Sequence, residues 1–235
     1  MVAQSAYGTA TSEAPAQEPA TITKELRLGG STITGVRFLL EGIKNTPNPS
    51  VSLYVETGNS ATLLDKLRRG AIEAAIVGTM PHEDEAFQFW EIGKEEEVLA
   101  VPRGHRLCGK KVVSLEEVGR IMTDPEEVFI QTRKGGTQVA HERLLNELDV
   151  SVCGRFVITS VEGVKQAVLA GLGISILPRA AVASEIEANR ITGIRIGDEG
   201  RFRTFYLAVN KGIPLSEYAA EFIRKSFGLI PERVN

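Results

Sequence analysis

The sequence lacks what a membrane span, a disulfide framework or a free-standing nucleic-acid binder needs. No apolar run approaches the roughly 20 residues that cross a bilayer. Two cysteines, Cys108 and Cys153, form no CxxC and are too few for a disulfide scaffold, so a reducing cytoplasm is the expected compartment. With 27 Lys and Arg against 30 Asp and Glu, the chain has no basic surplus for nucleic acid. His82, His105 and His141 are scattered, with no HExxH and no Cys/His pair. They imply no metal site and are expected to be exposed or at a hinge. There is no GxSxG elbow and no acid–base pair with a visible partner, which argues against an enzyme. Gly171-x-Gly173 follows a helix and precedes a strand, the reverse of a dinucleotide fingerprint, so it reads as a helix stop with tight packing. No cofactor is expected.

The first 23 residues are also poor in what folding requires. They hold six Ala and six Ser or Thr, but no Leu, Phe, Lys or Arg. Such a segment cannot bury enough apolar area to offset its ordering entropy, so 1–23 is expected to be a flexible tail. It has neither the basic start nor the apolar stretch of a signal peptide.

From residue 24 the chain alternates. Strand-like 25–30 ends in Gly29-Gly30, and Val36, Leu39, Leu40 and Ile43 then fall on one helical face. A turn over 45–49 leads to a strand over 50–56, a helix carrying Leu63, Leu64 and Leu67 that stops at Gly70, and a short strand over 74–78. This β-α-β-α-β order implies parallel pairing with right-handed crossovers. AFQFWEI and EEVLAVP read as two strands. The alternation restarts with a strand over 127–131, a helix from Gly135-Gly136-Thr137 through Leu148, a strand over 155–158, and a helix bearing Val161, Val164 and Val168. Short strands follow over 174–177, 190–196 and 203–209, then a last helix with Tyr218, Phe222 and Ile223 inward. PHEDE (81–85) and KEEE (94–97) read as solvated charge runs.

One pattern recurs at the strand ends. Ser31-Thr32-Thr34, Thr57-Gly58-Asn59-Ser60, Gly135-Gly136-Thr137 and Thr159-Ser160 each place small hydroxyl, amide or glycine residues at a helix start. Ligands of open α/β sheets bind beyond the carboxyl ends of strands, where helix N-termini favour anions. Each residue can equally be an ordinary helix cap.

LRLGGSTITGVRFLL (26–40), ETGNSATLLDKLRRGAIEAAIVG (56–78), VPRGHRL (101–107) and TSVEGVKQAVLAGLGISILP (159–178) together resemble the effector-binding domain of LysR-type transcriptional regulators. The resemblance implies an α/β fold of two Rossmann-like subdomains of the type 2 periplasmic-binding-protein kind, joined by two crossovers. Subdomain I would comprise 24–100 and 207–235, and subdomain II 101–206. It implies a ligand site at Ser31, Thr32, Thr34, Asn59, Gly78, Thr79, Thr132, Arg133, Thr137 and Thr159, with Arg133 the expected cation. The glutamine that often follows the Thr-x-Thr of anion-binding members is Gly35 here.

Members of the family begin with a winged helix-turn-helix and a linker helix, which these residues do not contain, so no direct DNA contact is expected from them. The expected function is sensing of a small anionic metabolite between the lobes, with closure switching a homodimer or homotetramer. The resemblance implies side-by-side dimers with the 34–44 helix at the interface, where Phe38 is a spare apolar residue. A transporter's solute-binding protein of the same fold is the alternative, and no membrane partner is expected.

Overall fold

The computed structural model describes residues 24–46, 51–79, 84–133, 136–152 and 154–231. The expected tail, His82 and Cys153 lie outside these residues.

Strands β1 (Lys24–Ser31), β2 (Val51–Gly58) and β3 (Ala74–Val77) alternate with helices α1 (Thr32–Lys44) and α2 (Ser60–Arg68). β1 pairs in parallel with both β2 and β3, as the βαβ order requires. Next comes β4 (Phe87–Pro102), a single strand of 16 residues where the sequence reads as two. Gly93 does not break it. A Cβ at Gly93 would meet the Phe38 ring at 2.8 Å, so the glycine is a packing site inside the strand.

The chain continues through β5 (Val112–Val113), α3 (Leu115–Thr123), β6 (Val128–Thr132), α4 (Gly136–Leu148), β7 (Gly154–Ile158), α5 (Val161–Leu169) and β8 (Ser175–Pro178). A 3-10 turn over Arg179–Ala181, α6 (Ala183–Glu187), β9 (Ile191–Ile196), β10 (Arg201–Asn210) and α7 (Glu217–Phe227) complete it. The large sheet has the order β2-β1-β3-β10-β4-β9-β5, with β8 also on β4, while β6 and β7 form a parallel pair.

The two long antiparallel strands β4 and β10 hold the molecule together. On one side of them Leu28, Leu39, Ile76, Phe205, Leu207, Phe222 and Ile223 share a core, joined by the α2 leucines and Phe87 in an adjoining cluster. On the other, Leu99, Val118, Phe129, Leu144, Ile174 and Ile194 form a second core. β4 changes partners along its length: Phe87–Glu97 pair with β10, while Val98–Pro102 pair with β9.

Three sequence expectations are corrected by packing. Leu40 is 54% exposed, and Phe38 turns inward instead, 5.7 Å from the Phe205 ring. His141, expected to be exposed or at a hinge, is buried in the second core; its Nε2 lies 2.6 Å from the Ile176 carbonyl oxygen and its ring packs on Phe129. The KEEE run is not a solvated face: Glu95, Glu96 and Glu97 are 5%, 9% and 4% exposed. Each has a guanidinium within reach. Arg37 binds Glu95 at 3.1 Å; Arg179 and Arg195 bind Glu96 at 2.5 and 2.8 Å; Arg201 and Arg203 stand 4.0 Å from Glu97. The two arginines hold the Glu96 carboxyl below its ordinary range against the opposing effect of burial, whereas burial pushes Glu97 up.

Candidate functional site

The site is built where strand ends of the two cores face each other. α1 starts directly from β1, and its preceding residue Ser31 does not cap it. The Ser31 hydroxyl instead accepts the N–H of Gly78 at 3.1 Å, tying the end of β3 to that of β1. Gly35 permits this approach: a Cβ there would lie 3.0 Å from the Ile76 carbonyl oxygen and 3.2 Å from the Ser31 hydroxyl. Any side chain here would press on both groups by a few tenths of an ångström. Thr32 has φ +57°, a left-handed backbone that costs a β-branched residue about 1–3 kcal/mol and persists only where surroundings impose it.

Two of the other helix starts are ordinary caps. Asn59 Oδ1 accepts from the Thr62 N–H, and Ser160 Oγ accepts from the Gly163 N–H. The distinguishing feature is a set of hydroxyls that cap nothing. The side-chain oxygens of Thr32, Thr34, Thr132 and Thr137 are all buried without a hydrogen-bond partner. They come from the starts of α1 and α4 and the end of β6, and so from both cores. Each such buried group costs roughly 1–3 kcal/mol when nothing satisfies it.

A cavity of about 1110 Å³ opens between α1, the end of β2 and the start of α5. It brings together Thr32, Asn59, Thr132 and Thr159 of the expected site, with Thr57 and Ser160 beside them. A second cavity of about 610 Å³ takes in Gly78 and Thr79. Thr34 and Thr137 are buried and line neither, as does Ser31, which is held by Gly78. Arg133 is exposed and also lines neither.

The cation missed by sequence reasoning is Arg203 on β10. Its side chain is 10% exposed, and none of its three nitrogens makes a hydrogen bond. It lies over the Phe205 ring, 5.0 Å from the centroid, and lines the second cavity. A signal was present: strict alternation puts Arg201 and Arg203 on the same strand face as Phe205, Leu207 and Val209, the inward face. Among the described residues no group of three His, Cys, Asp or Glu could hold a metal ion.

Two cores joined by two long strands, with a hydroxyl-bearing cleft at facing strand ends, define a two-lobed ligand-binding fold. Residues 20–225 match the LysR substrate-binding domain, and the chain belongs to that family. The RuBisCO operon transcriptional regulator of Allochromatium vinosum is 27% identical over 82% of this chain and 62% of its own length. The regulator CbbR of Sinorhizobium medicae is 29% identical over 64% of this chain and 46% of its own. The chain thus spans less than two thirds of these curated relatives. The CcmR regulatory domain of Synechocystis PCC6803, solved with 2-PG, is 25% identical with a TM-score of 0.73, covering 90% of this chain and 100% of that one. The effector-binding domain of QuiR, solved with shikimate, shares the fold at 16% identity and a TM-score of 0.71, covering 87% and 95%. The relatives are transcriptional regulators, which sets aside the transporter solute-binding reading. Among the described residues no helix is long and apolar enough to cross a membrane.

Proposed function

We propose that the cleft binds a small anionic metabolite as the effector of a LysR-type transcriptional regulator, with no chemistry performed on it. The carrying observation is the pair of buried hydroxyls without partners, Thr32 and Thr132, that line one cavity. A ligand with several acceptor oxygens in that cavity would satisfy both at once, and closure of the lobes would have to bring Thr34 and Thr137, which line neither cavity, to it. The 2-PG held by the Synechocystis relative is a ligand of this kind. Ser31, Asn59, Gly78, Thr79, Arg133 and Thr159 complete the proposed site, with Arg133 at its exposed margin.

The proposed lobes are residues 24–100 with 207–235, and 101–206. Core membership, and the change of β4 from β10 to β9 at Glu97–Val98, support this division. Effector binding would draw the lobes together and bias a two-state arrangement. In the whole regulator, that shift would reach DNA through parts beyond the matched domain, in the cytoplasm.

A thermal-shift screen of small carboxylates, sulfate, phosphate and 2-PG tests the reading. A ligand at 100 times its dissociation constant adds about 2.7 kcal/mol of stability. Thr32→Val and Thr159→Val should each weaken the best ligand by about 1–3 kcal/mol while the fold persists. A screen with no stabilising anion, or unchanged affinity in both variants, contradicts the proposal.

The domain is further proposed to work as a homodimer or homotetramer. Ile33 and Leu40 are exposed on α1, the helix assigned to the interface, whereas Phe38 is committed to the core. Gel filtration should give at least a dimer that Leu40→Glu weakens; a strict monomer at high concentration argues against it.

A further inference from the structure

The second cavity has a chemistry of its own. Three arginines line it, Arg143, Arg201 and Arg203, against one carboxylate, Glu97. Arg201 is engaged at the mouth by Glu147 at 2.8 Å. Arg203 is nine-tenths buried, and its nitrogens hydrogen-bond to nothing; the nearest carboxylate oxygen, on Glu97, is 4.0 Å away. A buried guanidinium normally has its donors filled, because desolvated and unused donors are expensive. The first turn of α4, 13 residues long, closes the opposite wall at Gly136. Its N-terminus carries the positive end of the helix dipole. Gly136 is a glycine for a reason: a Cβ there would sit 2.6 Å from Arg203 Nη1. The guanidinium and the helix start are therefore held face to face.

We propose that this Arg203 pocket is a distinct oxyanion subsite that takes the phosphate end of the effector, while the threonine-lined cavity takes its neutral polar part. The inference rests on the effector reading above and adds where the charge goes and of what class it is. A tetrahedral oxyanion suits donors arriving from separate directions, Arg203 from β10 and Arg143 from the outer face of α4, at the positive end of that helix. A lone planar carboxylate would use one guanidinium edge and leave the rest unfilled. The pocket lies between elements of both cores, so occupancy at this point would hold β10 and α4 in the contact they already make at Gly136. Arg133, at the exposed margin of the effector site, does not line this pocket.

Calorimetric titration of the intact chain with inorganic phosphate tests the subsite. Saturable binding is expected, weakened about tenfold to a hundredfold by Arg203→Gln and unchanged by Arg120→Gln, at an exposed arginine of α3 that lines neither cavity. Gly136→Ala keeps every charge but displaces the guanidinium, and should weaken phosphate about tenfold. It carries the test if Arg203→Gln fails to fold, as far-ultraviolet circular dichroism would show. No saturable phosphate binding, or wild-type affinity in whichever of these two variants folds, overturns the subsite. If carboxylates bind while phosphate does not, the subsite fails and the effector reading stands. If no anion binds and Thr32→Val and Thr159→Val are silent, the effector reading itself fails.

Discussion

Lowering the pH from 7 to 5 should remove about 2 kcal/mol of the domain's unfolding free energy, out of a full effect of about 3 kcal/mol, through His141 alone. The ring is fully enclosed between Phe129 and Ile176, its Nε2–H donates to the Ile176 carbonyl, and its Nδ1 meets no partner. Burial first, with the positive charge of Arg203 adding to it, pushes its pKa down from the ordinary 6.5 to about 4. The folded protein therefore keeps His141 neutral where an unfolded chain would protonate it. Below pH 6.5 the unfolded state takes up a proton that the folded state refuses, so stability falls with pH until about pH 4 and then levels. The carboxylates held low by their partners, Glu96 and Glu185 among them, begin to lose stabilisation only below their ordinary range near 4.5. Glu97, pushed up by burial, takes up its proton earlier in the folded state than in the unfolded one and so works in the opposite direction; His141→Gln isolates the histidine's share. Denaturant titrations at pH 7, 6 and 5 check the slope. His141→Gln keeps a donor for Ile176 and should flatten the curve; an unaltered slope in that variant would remove His141 as its cause.

Gly173→Ala should cost about 3 kcal/mol, against about 1 kcal/mol for Gly171→Ala two residues earlier. Both glycines have positive φ, +156° and +74°. Only Gly173 is also hemmed in: a Cβ there would stand 2.2 Å from the Val128 carbonyl oxygen, whereas nothing lies within 4 Å of one at Gly171. The carbonyl cannot retreat freely, because it accepts the Ile174 N–H at 2.9 Å while Ile174 in turn accepts from Ile130 at 2.8 Å. These bonds stitch β6 to the chain entering β8 beneath the cleft. An alanine must push the strands apart or break the pair, whereas Gly171→Ala meets only the left-handed backbone preference. Equal midpoints for the two variants in urea would refute the steric account.

The alternation of strands and helices was legible because each element carries its own period. Leu63, Leu64 and Leu67 define the inward face of α2 in sequence and in structure. What stayed hidden depends on partners far along the chain. Nothing local to Glu95, Glu96 and Glu97 announces Arg37, Arg179, Arg195 or Arg203, so three buried carboxylates read as a surface run. Gly93 looks like a strand end until the Phe38 ring is seated over it. In α1 the period correctly proposed a helix but assigned Leu40 inward; Phe38 wins that place because Phe205 lies opposite.

The candidate site divides in the same way. Hydroxyls at strand ends are a local pattern, and Thr32, Asn59, Thr132 and Thr159 do line one cavity. Which of them cap helices and which lack partners is decided in three dimensions: Ser31 turns to Gly78, while Asn59 caps α2. For the cations, strand alternation points Arg203 inward, but only the three-dimensional structure shows it enclosed with its donors unused and Arg133 exposed.

The most direct test of the effector cleft is a paired calorimetric titration of the best-stabilising anion into the wild type and Thr132→Val. Thr132 Oγ1 is buried and satisfied by nothing in the free protein, so removing it should leave the unliganded fold as stable as before or slightly more so. Affinity should nevertheless fall by about 1–3 kcal/mol, roughly tenfold or more. Equal affinity with unchanged stability would mean that this hydroxyl awaits no ligand, and would contradict the account.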